Sequence, residues 1–529
     1  MRYPSLLVST LLALLASIAP GVAQNKSSFI DQSDNAGFVA PTVDAQMSCQ
    51  SLNSSNFSDI SLLKAIHFDA TDKIPAHCQV TGYIRPEIKF EITLPARWNR
   101  RIYMFGNGGY AGENLADPTR IETRDQALAR GFVTVQQNTG HDAATYNLGD
   151  FANGNLDRLI DYASRAVHVV VISTKSIATH YYDRHPTFSY WDGCSTGGRQ
   201  GLMSAQRYPA DFDGILAGAP ALDFTGTQLW GVWNARVLEK APISKAQLRV
   251  LAKTVMDKCD RPDGAEDGLI TDPRACKFDP QKDLPICEKV VSSDCFTENQ
   301  AQALTKISEG VKINGEVVFP GVPWGVEGLD DGGESGWNRW IISDNGPSRQ
   351  LTYGETFLRN MAMLPESGKD IDWRSFDFDA EYTKIQAIRN ILDATDSDLS
   401  EFQKRGGKMI SYFGWADPAL NPMMGVNYYE SVREKLSAER TDEFYRLFMV
   451  PGMFHCRQGY GTDTFDAFTP LIDWVENGKA PDVIQARQVK GGHIIRTRPL
   501  CAYPLAAKYS GSGDLNDGAN FSCTTSDGK

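Results

Sequence analysis

The sequence predicts an α/β fold in which a parallel sheet carries helices on both faces and a large segment interrupts the sheet. Short apolar runs typical of buried strands alternate with helical stretches, both before residue 220 and after residue 400. Between about Ala221 and Thr395 that alternation stops, and this third of the chain holds six of the ten tryptophans. A chain of 529 residues is too long for one simple core, which agrees with an inserted domain.

The strands are predicted first by alternation and then, within the parallel part, by continuous apolar runs. In chain order the predicted strands are Gln79–Tyr83, Ile88–Leu94, Arg101–Phe105, Phe132–Val135, Phe188–Trp191, Gly214–Gly218, Lys408–Phe413 and Tyr445–Val450. Helices are predicted over Leu156–His180, Gln200–Arg207 and Tyr428–Ala438. Residues near 25–65 are polar and rich in Ser and Asn, which predicts an arm outside the core.

A sharp strand-to-helix turn is predicted at Gly193-Cys194-Ser195-Thr196-Gly197. The turn holds its central residue in a strained conformation, and side chains two positions away would collide. It raises the Ser195 hydroxyl above the edge of the sheet. This is the pattern of a nucleophile elbow, and with the interrupted sheet it predicts an α/β-hydrolase fold with a large inserted lid domain.

The partners of the serine are chosen by chain order, since the acid and then the histidine follow the nucleophile in this fold. His455 comes directly after the apolar run ending at Val450, whereas His493 lies in a basic terminal stretch typical of a surface. Asp417 follows the preceding predicted strand. We therefore predict that His455 exchanges a proton with Ser195 and that Asp417 orients the imidazole.

The oxyanion of an acyl-transfer reaction needs two aligned N–H donors. The N–H of Thr196, directly after the nucleophile, is one candidate. The other is expected in the glycine-rich loop 106–112, and Gly109 is our choice.

Composition and the N-terminus indicate where the protein works. A net charge of −12 without a basic run argues against nucleic acid or an anionic membrane as partner. Residues 1–23 have a basic start, an apolar core and small residues before Gln24, which predicts a cleaved signal peptide and a secreted, extracellular protein.

Asn-x-Ser sequons occur at Asn25, Asn53, Asn56 and Asn520. Such sequons indicate glycosylation in a eukaryotic source, but they also arise by chance.

The ten cysteines favour disulfides, since their number is even and the compartment is oxidising. Pairs close in sequence are Cys49 with Cys78, Cys259 with Cys276, Cys287 with Cys295, and Cys501 with Cys523. Cys194 and Cys456 remain. If Ser195 and His455 touch, these neighbours come within disulfide distance; two buried free thiols are the alternative.

The motifs Gly-Cys-Ser-x-Gly-Gly-Arg (193–199), Asp-Pro after Gly-Trp-Ala (414–418) and Pro-Gly-Met-x-His-Cys (451–456) together resemble the tannase and feruloyl esterase family. The similarity extends from about Cys49 to Cys523. It implies a secreted serine esterase with a disulfide joining the residues beside Ser and His, which Cys194 and Cys456 match.

The loop 259–269 contains three aspartates around a glycine, but its spacing is not that of an EF-hand. Composition alone favours a solvated acidic turn. The resemblance implies instead a structural calcium site. Its ligands would be the side chains of Asp260, Asp263 and Asp267 and the carbonyls of Ala265 and Leu269.

We therefore predict a catalytic domain in two parts, 24–220 and 398–529, with a lid domain over 221–397 that holds calcium; no organic cofactor is expected. The resemblance implies hydrolysis of small aromatic esters, free or attached to a plant polysaccharide or polyphenol. Feruloyl esterase, tannase and mono(hydroxyethyl) terephthalate hydrolase activities are the alternatives within the family. A secreted peptidase and an inactive binding protein are the rivals outside it, and the oligomeric state stays open.

Overall fold

The structure, a computed structural model, describes residues 41–261, 264–288, 290, 292–328, 336–363 and 371–525. A nine-stranded sheet lies at its centre. In chain order its strands are β1 Ile60–Phe68, β2 His77–Ile84, β3 Ile88–Pro95, β4 Arg101–Phe105, β5 Val133–Gln137, β6 Phe188–Cys194, β7 Gly214–Gly218, β8 Lys408–Gly414 and β9 Tyr445–Val450.

The strands lie side by side in the order β9-β8-β7-β6-β4-β5-β3-β2-β1. From β9 to β5 every pairing is parallel, and from β5 to β1 every pairing is antiparallel. The α/β fold is thus confirmed, but the sheet is mixed, not wholly parallel. On the antiparallel side, β1, β2 and β3 are consecutive strands that short turns can connect, whereas β3 and β5 are separated in the chain by β4 and the helix Pro118–Leu128.

The predicted arm is wrong for residues 60–65, because strand β1 occupies the edge of the sheet there. Leu62, Ile66 and Phe68 on this strand are exposed, so neither face gives the alternation of a half-buried strand. The side chain of Asn53 covers part of the open edge by bonding both backbone groups of Ala65, at 2.9 and 3.1 Å.

Strands β4, β5 and β7 are buried at every residue, so both faces of the sheet are covered there. Helices around the sheet are Pro118–Leu128, Leu156–Ile160, Ala166–Tyr182, Thr196–Arg207, Pro422–Leu436, Ala438–Asp442 and Phe468–Asn477. A π-helical turn, Asp161–Arg165, joins the second and third of these into one rod.

Strands β7 and β8 are hydrogen-bonded neighbours, yet the insertion (residues 219–407) separates them in the chain. Its described part is mainly helical: Phe224–Lys240, Lys245–Cys259, Pro280–Asp283, Glu298–Glu309, Arg349–Asn360, Phe378–Glu381, Gln386–Leu392 and Ser400–Lys404. A short hairpin, Val311–Ile313 with Glu316–Phe319, lies among them. The division into domains at residues 221 and 397 stays a prediction.

The insertion and the sheet share one buried apolar cluster. The buried apolar cluster that contains Trp191 of β6 also contains Trp230 and Trp337 of the insertion. Among the described residues no helix is long and apolar enough to cross a bilayer. The predicted signal peptide lies outside the described residues.

The C-terminal part adds two antiparallel pairs, Val483–Lys490 with His493–Cys501 and Leu505–Tyr509 with Phe521–Thr525. His493 is exposed at the start of its strand, as predicted for a surface residue. All five predicted disulfides are present: Cys49–Cys78, Cys194–Cys456, Cys259–Cys276, Cys287–Cys295 and Cys501–Cys523.

Candidate active site

Ser195 lies at the turn between β6 and the helix Thr196–Arg207, with φ 65° and ψ −123°. A non-glycine residue at positive φ is strained, and such strain is common where a side chain must be presented. A Cβ atom on Gly193 would lie 2.6 Å from the backbone of Gly197, and one on Gly106 would lie 2.6 Å from the same residue. Glycine is therefore required at these positions by close approach of three backbone segments.

Three side chains meet above the carboxyl edge of neighbouring strands. His455 Nε2 lies 2.9 Å from Ser195 Oγ, and His455 Nδ1 lies 2.8 Å from Asp417 Oδ2. Asp417 follows β8 and His455 follows β9, so the parallel strands bring both to the end of the sheet where β6 delivers the serine. The structure thus places together the three residues that chain order selected.

Asp417 is held so that one oxygen serves the histidine. The N–H groups of Ala419 and Leu420 donate to its Oδ1 at 2.9 and 3.0 Å, which leaves Oδ2 for the imidazole. The carboxylate is fully buried, while the His455 side chain is partly exposed. Charge-assisted hydrogen bonds to a buried carboxylate are strong, so the ring orientation is well defined.

The Cys194–Cys456 disulfide joins the residue before Ser195 to the residue after His455. The two Cα atoms are 6.1 Å apart although 262 positions separate them in the chain. Cys456 has φ 64°, so the histidine loop turns sharply at this point. The bond therefore couples the nucleophile's turn directly to the base.

The glycine-rich loop 106–112 uses most of its N–H groups internally. Those of Gly106, Asn107, Gly108, Ala111 and Gly112 all donate within the protein. Among the described residues, the N–H groups of Gly109 and Tyr110 have no acceptor. Since buried or half-buried N–H groups are normally paired, these two are available to a substrate oxygen.

Gly109 lies against the first residue of the nucleophile's helix. The Thr196 hydroxyl donates to the Gly109 carbonyl at 2.6 Å. The N–H of Thr196 begins the helix and has no acceptor within it. The two predicted oxyanion donors therefore belong to backbone segments that are bonded to each other.

The insertion supplies side chains beside the histidine that sequence reasoning did not single out. The ring of Trp340 lies edge-on to His455, with centroids 5.9 Å apart, and the Arg349 guanidinium lies over Trp340 at 5.2 Å. A Cβ atom on Gly109 would lie 2.7 Å from the Tyr353 hydroxyl. Of the six tryptophans of the insertion, Trp230, Trp324, Trp337 and Trp373 are buried.

The acidic loop lies apart from these residues, and Asp263 falls outside its described part. Asp260 and the side chain of Asp267 are buried. Burial raises the pKa of the Asp260 carboxyl, and the nearby charge of Asp267 raises it further. Two carboxylates buried close together repel each other, and a hard divalent cation bound by their oxygens would remove that repulsion.

Asp267 also has partners in the C-terminal hairpin. Arg498 forms an ion pair with its carboxylate, and Arg496 donates to its carbonyl at 2.8 Å. The described residues hold no cluster of three or more His, Cys, Asp or Glu side chains able to bind a metal. Of the five predicted calcium ligands, four lie among the described residues: Asp260, Ala265, Asp267 and Leu269.

The sequence is similar to that of a protein family and of proteins with known names. The sequence profile described as "Tannase and feruloyl esterase" matches residues 72–524. The chain is 34% identical to mono(2-hydroxyethyl) terephthalate hydrolase of Piscinibacter sakaiensis over 514 residues, covering 85% of each protein. It is 33% identical to feruloyl esterase B of Aspergillus niger over 477 residues, covering 84% of this chain and 86% of the relative.

Solved structures give the same picture. The crystal structure of feruloyl esterase B from Aspergillus oryzae superposes with a TM-score of 0.78 at 26% identity, covering 90% of this chain and 99% of that one. Tannin acyl hydrolase from Aspergillus niger superposes with a TM-score of 0.68 at 22% identity, covering 94% of this chain and 96% of that one, which supports the fold alone.

Proposed function

The chain belongs to the tannase and feruloyl esterase family, a family of carboxylic ester hydrolases, and from this premise we propose that it is a secreted serine esterase acting on esters of aromatic acids. The proposal assigns Ser195 as nucleophile, His455 as general base and acid, and Asp417 as the residue that orients the histidine.

One observation carries this assignment: the unbroken hydrogen-bond chain from Ser195 Oγ through both nitrogens of His455 to Asp417 Oδ2. A serine hydroxyl is a weak nucleophile until an adjacent base accepts its proton. The carboxylate selects the tautomer with a proton on Nδ1, which leaves Nε2 free to act as that base. An inactive binding protein would have no use for this arrangement.

The reaction proceeds in two halves. Ser195 Oγ bonds to the ester carbonyl carbon while its proton moves to His455 Nε2. The resulting tetrahedral intermediate expels the alcohol, which takes the proton from His455 and leaves an acyl-serine. Water then gives a proton to His455 and attacks the acyl carbon. Collapse releases the acid and returns the proton to Ser195.

The negative charge on the former carbonyl oxygen needs preorganised donors in both halves. The N–H groups of Thr196 and Gly109 are proposed for this role, because the first begins a helix and the second has no acceptor within the described protein. The helix N-terminus beneath the site adds a favourable dipole.

A substrate panel tests the activity. Purified protein should hydrolyse methyl ferulate, methyl caffeate, methyl gallate or a terephthalate half-ester, and a fluorophosphonate should label Ser195. Hydrolysis of a matched amide in preference to every ester would indicate a peptidase instead. Labelling without turnover of any ester would contradict the proposed substrate class.

A second candidate activity is hydrolysis of half-esters that carry a free carboxylate. The observation that favours it is Arg349, which is exposed, stacks on Trp340 and forms no ion pair within the described residues. A guanidinium held over an aromatic ring beside the histidine suits a flat acyl group with a distal negative charge.

We expect Arg349→Leu to lower kcat/KM for a terephthalate half-ester about tenfold or more, since a hydrogen bond to a charged group contributes roughly 1.5–3 kcal/mol. Turnover of methyl ferulate should change little. Arg359→Leu is the matched control, because Arg359 lies on the same helix and pairs with Glu355 at 2.7 Å. Equal losses with both substrates would remove the support for the half-ester activity.

Calcium in the acidic loop is proposed as a structural element. Asp260, Asp263 and Asp267 would bind it with the carbonyls of Ala265 and Leu269, and the ion would neutralise the buried carboxylates. No reaction step passes through it. Because Arg496 and Arg498 reach Asp267, an ordered loop would also stabilise the C-terminal hairpin.

A chelator should therefore lower the melting temperature by several degrees, since a ligand present at 100 times its Kd stabilises the folded state by about 2.7 kcal/mol. Asp260→Asn should melt lower and no longer respond to the chelator, and elemental analysis should show one calcium fewer per chain. Asp257→Asn, an exposed carboxylate paired with Lys253, is the control. A wild-type protein without calcium and without a chelator response would show that the loop is an acidic turn.

Export and modification complete the proposal. Five disulfides suit an oxidising compartment. The amide nitrogens of Asn53 and Asn520 donate to backbone carbonyls, at 3.1 and 3.0 Å, while Asn56 is exposed. If the source is eukaryotic, we propose Asn56 as the glycosylated position; Asn25 lies outside the described residues.

A further inference from the structure

We propose that Tyr162 is a positioning residue of the oxyanion hole, holding the Gly109 backbone so that its N–H faces the reacting oxygen. This inference rests on the proposed esterase function. In this role Tyr162 does not touch the substrate. It acts through the Gly109 carbonyl, which it shares with Thr196.

The Gly109 carbonyl accepts two hydroxyl hydrogen bonds. Thr196 Oγ1 donates to it at 2.6 Å, and the Tyr162 hydroxyl donates at 3.1 Å. One of these donors belongs to the nucleophile's helix and the other to the long helical rod behind the loop. The carbonyl is thus fixed to two separate elements of the scaffold.

Fixing this carbonyl matters because Gly109 has φ 51° and no side chain to restrict its backbone. On its other side, the Gly108 N–H donates to Glu113 at 2.8 Å, and Glu113 pairs with Arg120 at 2.8 Å. The N–H of Gly109 lies between these two anchored groups. This N–H shares its peptide with the Gly108 carbonyl, which accepts from the Ala111 N–H at 2.8 Å. The peptide keeps its direction towards the oxygen only while the peptides on both sides stay in place.

Tyr162 is itself rigidly held. It lies in the π-helical turn Asp161–Arg165, a kind of helix irregularity frequent at functional sites. The Arg199 guanidinium lies 4.7 Å from the centre of its ring and donates to the Leu392 carbonyl at 2.9 Å. Arg199 is fully buried and forms no ion pair within the described residues. The main charged contact of this guanidinium is therefore a cation–π interaction with the aromatic rings stacked against it, not an ion pair with a carboxylate.

The test compares Tyr162→Phe with the wild type. The ring and its contact with Arg199 remain, and only the hydroxyl is lost. We expect kcat to fall about tenfold with KM nearly unchanged, less than the hundredfold or more that removal of an oxyanion donor costs. The Ki of an aryl trifluoromethyl ketone, which forms a tetrahedral adduct with Ser195, should rise by the same factor.

Thr196→Val removes the other hydroxyl while keeping its backbone N–H, so it should have a similar effect and serves if Tyr162→Phe does not fold. The double variant should lose at least the product of the two factors, because neither hydroxyl then holds the carbonyl. Tyr182→Phe is the control: its buried hydroxyl donates to the Pro95 carbonyl at 2.6 Å, on the same rod but away from the site. It should leave kcat and the inhibitor's Ki unchanged.

Unchanged kcat and Ki in both single variants, or an equal loss in Tyr182→Phe, would overturn the positioning role while leaving the esterase assignment intact. A wild-type protein that hydrolyses no ester would instead overturn the proposed function, and this inference with it. A fall in thermal stability without a change in Ki would also contradict the proposal, since it would show a purely structural bond.

Discussion

Replacing Ser195 by alanine should lower kcat for the best aromatic ester by roughly 10⁴- to 10⁶-fold, because the members of a catalytic triad act as a unit. Without the hydroxyl no acyl-enzyme forms, and His455 and Asp417 have nothing to activate. The residual rate would be measured from the product formed after fixed times at high enzyme concentration. Fluorophosphonate labelling should disappear in the same variant.

His455→Ala should be comparably severe, whereas Asp417→Asn should cost somewhat less, on the order of 10⁴-fold. Each variant should keep the wild-type circular dichroism spectrum. Retention of more than about a tenth of wild-type activity by Ser195→Ala would contradict the assignment. An enzyme that has lost its nucleophile typically keeps a far smaller fraction of its wild-type rate.

Removing the disulfide beside the active site, with Cys194→Ala and Cys456→Ala together, should abolish most activity at temperatures where the protein is still folded. A displacement of about 1 Å between reacting groups can cost roughly a hundredfold in rate. The bond closes a loop of 262 positions, for which the chain-entropy model gives a stabilisation of about 5 kcal/mol, an upper-end value. Activity and unfolding should be measured on the same sample.

The control for this experiment is the disulfide between Cys49 and Cys78, which spans 29 positions and lies on β2, near the edge of the sheet opposite β8 and β9. Its removal should lower stability with little change in kcat. Peptide mapping without reduction should recover the segments around Cys194 and Cys456 joined. Wild-type kcat in the folded double variant would show that the bond does not hold the histidine in place.

Much of the sheet could be predicted because buried parallel strands are short apolar runs between turns. Arg101–Phe105, Gly214–Gly218 and Tyr445–Val450 have the observed bounds. The three residues of the proposed triad could be found because chain order and position after a strand leave few candidates. Strand Ile60–Phe68 could not, because its apolar side chains are exposed at the sheet edge.

The residues around the triad were less accessible to sequence reasoning. Tyr162 lies within a helical stretch whose periodicity gives no sign of the π-helical turn. Arg349 and Tyr353 sit on a helix of the insertion. Only tertiary packing brings Arg349 over Trp340, beside His455, and Tyr353 against Gly109. Nothing in their local sequence distinguishes them from other exposed or half-buried helical residues.

The insertion between two adjacent strands has an evolutionary consequence. Because β7 and β8 pair directly from Gly214–Lys408 to Gly218–Tyr412, the register of the sheet does not depend on how long the connecting segment is. Lineages can therefore replace Trp340, Arg349 and their surroundings while inheriting the proposed triad unchanged. Exchange of the whole segment between relatives is then a route to new ester preferences by recombination, with the reaction chemistry carried over intact.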